Sequence, residues 1–229
     1  MLIGKKALLL DMNGTFMFGE DRFDDCQDFS AHYGRLGGTL PKEEIHQIIR
    51  AVYGYLSLRY PDEQYRHDFP SVRFAISDVV DKVLAHDEIE RIIETFTHHE
   101  LGFIPREYVT VLHTLRKYFQ LAAVIDIWSP KEAWVRIFDE TGILPLFSAL
   151  SFSSDHGMVK PSAKPFKFVL TQLGIPKAEA LVVGDSVRRD LGGAKNAGID
   201  CILVGGAEHP DACRTFSNLI EFTSAIEAG

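Results

Sequence analysis

The chain has 229 residues, 46% of them hydrophobic and 24% charged, with a formal net charge of -8. That is the composition of a globular protein with one sizeable core, or a core and a smaller unit. An acidic surplus of this size argues against a general binder of nucleic acid or of anionic membrane, since both require a cationic face.

Cys26, Cys201 and Cys213 form an odd set without a CxxC pair. No disulfide scaffold is expected, and a reducing, cytoplasmic compartment fits. The segment Met1–Leu10 carries two lysines but neither the longer apolar region nor the small-residue cleavage site of a leader. No apolar stretch approaches the ~20 residues of a membrane span.

Ala7–Leu10 is a short apolar run that ends at Asp11, with Asn13-Gly14 two residues on. This pattern predicts a buried parallel strand and a turn. The next stretch, from about Asp24 to Glu100, shows no such run. Its apolar residues recur at helical intervals: Ile45, Ile48, Ile49 and Val52, then Val72, Ala75, Ile76, Val79 and Val83, then Ile89, Ile92, Ile93 and Phe96. Three or four helices are expected there. Beyond residue 100, strand-like runs return at 121–127, 149–152, 180–183 and 201–204. Helix-like stretches separate them at 107–119, 131–140, 164–173 and 190–197, and 217–229 reads as a closing helix. Strand alternating with helix predicts a parallel sheet covered on both faces.

In an open parallel sheet, ligands gather at the carboxyl ends of the strands. Asp11 and Asp185 both end apolar runs, so both should project at that edge. Two carboxylates held together repel unless a cation or a proton joins them. Magnesium takes carboxylates together with phosphate oxygens. The residues alone therefore suggest a metal-assisted site for a phosphorylated substrate. Plainer roles are open to the same residues: Asp-x-Asn-Gly is good turn chemistry, and Asp190 can cap a helix beginning near Leu191.

Leu8–Thr15, reading LLLDMNGT, resembles the first signature of the haloacid dehalogenase superfamily, an apolar strand followed by Asp-x-Asp-Gly-Thr. Gly157–Pro161 resembles its third, and Leu181–Gly198, which includes GDSVRRD, its fourth. The resemblance implies an α/β class protein: a Rossmann-like three-layer core (residues 1–16 and 101–229) with an inserted α-helical cap (17–100). It implies hydrolysis of a small phosphorylated metabolite through an aspartyl-phosphate on Asp11. Magnesium would be held by Asp11, the Asn13 carbonyl and Asp185, with Asp190 helping directly or through water. Lys160 would neutralise Asp11 and the phosphoryl oxygens, and Gly14 would let the backbone approach the phosphate.

Two positions depart from the superfamily pattern. Its phosphatases usually carry a second Asp where this chain has Asn13, and an amide cannot serve as a general acid at neutral pH. They also place Ser or Thr at the end of the second core strand, where the preferred alignment puts Ile125, followed by Asp126. Ser129-Pro130-Lys131-Glu132 reads as a helix capping box. His98-His99-Glu100 reads as a solvated helix end, and Arg188 and Arg189 as surface charge. These departures leave two other readings: a protein that binds a phosphorylated ligand or a partner without turnover, and a carbon–halogen hydrolase, a branch that needs no magnesium.

Overall fold

The computed structural model describes residues 4–228. Met1–Ile3 and Gly229 lie outside the described residues. With them go the first positions of the segment weighed as a leader, and the outermost residues of the expected core and closing helix.

Six strands form one parallel sheet: β1 (Ala7–Leu10), β2 (Gln120–Ile125), β3 (Phe147–Phe152), β4 (Ala180–Gly184), β5 (Asp200–Leu203) and β6 (Arg214–Thr215), in the order β3-β2-β1-β4-β5-β6. The short edge strand β6 was not expected from sequence. Alternation along the strands builds two cores. Leu8 and Leu10 of β1 join Leu121, Ala123, Ile125, Leu181 and Val183 on one face. Ala7 and Leu9 join Ala122, Val124, Val182, Cys201 and Leu203 on the other.

Between β1 and residue 101 lie four helices, α1 (Phe29–Arg35), α2 (Lys42–Arg59), α3 (Val72–Val79) and α4 (His86–Glu100). Their apolar faces close on a third core containing Ile45, Ile49, Val52, Ile76, Ile92 and Phe96. Helices α5 (Arg106–Leu115), α6 (Glu132–Glu140) and α10 (Leu219–Glu227) cover the first face of the sheet. The single turn α7 (Ser153–His156) follows β3, and α8 (Ala163–Leu173) and α9 (Gly192–Ala197) cover the second face. Among the described residues, no helix is long and apolar enough to cross a membrane. All three cysteines are free.

Two local expectations differ. Helix α6 begins at Glu132 without a side-chain cap. Ser129 is instead buried, and its N–H donates to Glu100 at 2.9 Å. Asp190 is no helix cap either. It lies inside a π-helical turn, Val187–Leu191, where Leu191 N–H reaches back five residues to Ser186 O at 3.1 Å.

Candidate active site

The sheet order reverses direction at β1. The chain steps outward to β2 and β3, then returns across β1 to β4. A crevice forms at the carboxyl ends of the strands at such a switch point. Asp11 and Asp185 follow β1 and β4 directly at that crevice, and Asp11 N–H donates to Val183 O at 2.9 Å.

Lys160 arrives from the segment between α7 and α8 and is 1% exposed. Its ammonium bonds Asp11 Oδ1 and, at 2.8 Å, Asp190 Oδ1. Burial alone would lower the Lys160 pKa, but Asp11, Asp190 and Asp126 together raise it above its ordinary value. The ammonium therefore stays charged. Burial, followed by the Asp190 carboxylate, raises Asp11 well above the usual carboxylate range against the pull of Lys160.

The turn after β1 is built around Gly14. Its φ is +71°, and a Cβ there would lie 2.5 Å from Asp185 Oδ2. What approaches this glycine is the Asp185 carboxylate, and Gly14 itself does not line the cavity described next. Gly184 has the same constraint: a Cβ would meet Asp190 Cγ at 2.4 Å.

Asp11, Asn13, Asp126, Lys160 and Asp185 line a single cavity of about 100 Å³, joined by Glu20, Asp21, Tyr60, Glu100, Trp128 and Arg189. Six of these side chains are carboxyls and two are cationic, so the cavity is short of positive charge. Asp11 Oδ2, Asn13 Oδ1 and Asp185 Oδ1 are buried there without a hydrogen-bond partner. Asp11, Asp185 and Asp190 each offer a carboxylate oxygen, all within 4.8 Å of one another. The donor set, all hard oxygen, fits a magnesium ion. Both Asp190 oxygens are already engaged, by Lys160 and by Ser186 N–H at 3.0 Å. The free oxygens belong to Asp11 and Asp185, and the Asn13 carbonyl accepts no hydrogen bond from a described backbone group.

Ile125 requires correction. It is 1% exposed and packs with Leu121 and Ala123 in the first core, so it does not reach the cavity. Strand phase turns it away, and the residue that follows, Asp126, faces the site in its place. Asp126 Oδ2 accepts from Tyr60 O–H at 2.6 Å and Lys160 N–H at 2.9 Å, while Oδ1 is buried without a partner. Burial raises its pKa.

Several cavity residues escaped the sequence reading. Glu100, at the end of α4, is buried rather than solvated and clamps the segment after β2 through Trp128 N–H at 2.5 Å and Ser129 N–H at 2.9 Å. Burial pushes its carboxyl up to about 7. Arg189 faces the cavity, whereas Arg188 is exposed as expected. A local pattern signals neither residue; long-range packing places both.

The fold and the Asp–Lys–Asp arrangement define a class, and comparison with known proteins agrees. The structure resembles a 2-haloacid dehalogenase from Pseudomonas syringae pv. Tomato DC3000 (TM-score 0.66, 20% identity, 98% of this chain and 99% of that one). It also resembles a HAD phosphatase from Thermococcus onnurineus (TM-score 0.64, 23% identity, 96% and 97%). A family model for haloacid dehalogenase-like hydrolase matches residues 5–198, so the chain belongs to that family of hydrolases. Among relatives in sequence, pyrophosphatase PpaX of Bacillus pumilus is 28% identical over 157 residues, 66% of this chain and 72% of that one. A glyceraldehyde 3-phosphate phosphatase of Methanopyrus kandleri is 29% identical over 214 residues, 90% of this chain and 86% of that one.

Proposed function

We propose that this hydrolase is a magnesium-dependent phosphatase of small phosphorylated metabolites, acting through a covalent aspartyl-phosphate on Asp11. One observation carries the reading. Asp11 is held by Lys160 on one oxygen, and its other oxygen is buried and unpaired in the same cavity as the unpaired Oδ1 of Asp185. A cation-binding pair of acids beside a charged lysine suits a phosphoryl group better than a carbon–halogen bond. The phosphatase names of the sequence relatives point the same way.

Asp11, Asp185 and the Asn13 carbonyl would hold magnesium, which supplies positive charge to Asp11 and to the oxygens of a bound phosphoryl group. Asp11 attacks phosphorus, and the bond to the leaving oxygen breaks. Lys160 favours the ionised form of Asp11, orients it, and balances charge spread over the transferring group. Asp190 is a positioning residue: it fixes the Lys160 ammonium and, through Ser186 N–H, the turn carrying Asp185. Water then cleaves the aspartyl-phosphate and its protons leave on the phosphate product. Asn13 can orient the leaving group or the water by hydrogen bonding, but can neither donate nor accept the proton in transfer. The enzyme therefore favours leaving groups that depart without a proton, such as acyl and aryl phosphates.

Residues 17–100 act as a cap over the core formed by 1–16 and 101–229. The cavity, about 100 Å³, is small, on the scale of a phosphoryl group. Larger substrates need the cap to open, and closure excludes bulk water. A phosphate-release screen over acyl phosphates, p-nitrophenyl phosphate, sugar phosphates and nucleoside monophosphates, with and without magnesium, tests the reading. Magnesium-dependent release is expected. No release from any class would overturn it in favour of phospho-ligand binding without turnover.

A further inference from the structure

We propose that Arg189 is the second phosphoryl-binding cation of this site, supplying the contact that the end of β2 lacks. The proposal rests on the phosphatase reading and extends it to a residue with no assigned role.

Three observations converge. The first is that the end of β2 offers a phosphoryl group no donor side chain. No hydroxyl from the segment after β2 lines the cavity: Ile125 packs in the core, Asp126 presents a carboxylate, and Ser129 does not line the site. The Lys160 ammonium is already committed to Asp11 and Asp190. The second is the state of Arg189. Its side chain is 32% exposed and lines the cavity, yet its guanidinium donates no hydrogen bond to a described residue. The nearest carboxylate oxygen, Asp185 Oδ1, lies 3.5 Å from Nη2, an ion pair too long for a good hydrogen bond. A guanidinium carries five donors in a planar fork that matches phosphate oxygens two at a time.

The third is how the backbone aims it. The π-helical turn holds Asp190 inward on Lys160 and turns Arg188 outward, where its guanidinium lies 5.8 Å from the Tyr60 ring centroid and reaches Pro61 O at 3.4 Å. Arg189, between them, faces the cavity. A residue present only to balance Glu20, Asp21 and Asp185 would be expected to hydrogen-bond one of them, and Arg189 bonds none.

Calorimetric titration of inorganic phosphate at saturating magnesium tests the assignment independently of turnover. The proteins are wild type, Arg189→Ala, Arg189→Lys and Arg188→Ala. Loss of charge-assisted hydrogen bonds should weaken phosphate binding about 10- to 100-fold in Arg189→Ala. Arg189→Lys should fall between Arg189→Ala and wild type, since it keeps the charge without the fork, and Arg188→Ala should match wild type. Thermal unfolding should not separate Arg189→Ala from wild type, and magnesium affinity should not fall, since the lost cation lies beside Asp185. A phosphate loss under about threefold in Arg189→Ala would overturn the assignment, as would an equal loss of magnesium affinity. Failure of the wild type itself to bind phosphate would instead remove the phosphatase reading on which the assignment rests.

Discussion

Tyr60, just beyond the end of α2, donates its hydroxyl proton to Asp126, just beyond the end of β2, at 2.6 Å. This bond ties the helical unit to the carboxyl edge of the sheet at the rim of the cavity. Tyr60→Phe removes it and leaves Asp126 Oδ2 with only the Lys160 N–H. The expected cost is about 1–2 kcal/mol in urea unfolding. An unchanged midpoint would show that the bond does not hold the two units together.

The metal assignment predicts a graded outcome. Asp185→Ala removes a free carboxylate oxygen and should weaken magnesium binding at least about tenfold in calorimetry, about 1.4 kcal/mol. Asp190→Asn should weaken it less, because Asp190 is engaged with Lys160 and Ser186. Equal affinity in wild type and Asp185→Ala would remove Asp185 from the site.

Asn13→Asp restores a group able to carry a proton. Phosphoryl transfer from sugar phosphates, whose alkoxide leaving groups need that proton, should speed up by up to ~10², while the burst phase with p-nitrophenyl phosphate changes little. Peptide mass analysis must first establish that Asn13, which precedes Gly14, has not deamidated. Rapid sugar-phosphate hydrolysis by intact wild type, unimproved by Asn13→Asp, would mean that another group supplies the proton.

His99 gives a prediction about pH. It is 5% exposed, packs against Phe23 and Phe29, and neither ring nitrogen has a partner. Burial, followed by the neighbouring His98, lowers its pKa from 6.5 to about 4. Between those values the unfolded chain binds the proton and the folded chain does not, so this residue's contribution to stability is lost as pH falls from 6.5 towards 4. His99→Phe should therefore gain about 1–2 kcal/mol more at pH 5 than at pH 8 in denaturant unfolding. A gain independent of pH would contradict the buried neutral imidazole.

The sequence makes Asp11 and Asp185 legible because their signal is local: an apolar run ends in an acid, and the strand end places it. The parallel sheet and the helical stretch are readable for the same reason. Ile125 misleads because one step along a strand exchanges core for cavity, and sequence does not set strand phase to one residue. Asp190 reads as a cap only if the helix begins after it, whereas the π-helical turn carries it inward. Glu100, Tyr60 and Arg189 reach the cavity through long-range packing, which no short pattern encodes.

Covalent catalysis by Asp11 leaves the second step to a water whose proton Asn13 cannot accept. Water cleavage of the aspartyl-phosphate should then be slow, and the intermediate should accumulate. Rapid quenching of wild type with magnesium and an aryl phosphate tests this, with the peptide containing Asp11 examined by mass spectrometry. A product burst approaching one per site is expected, with a phosphoryl adduct on Asp11, less adduct in Asn13→Asp and none in Asp11→Asn. Steady turnover with no burst and no adduct, undiminished in Asp11→Asn, would contradict covalent catalysis by Asp11.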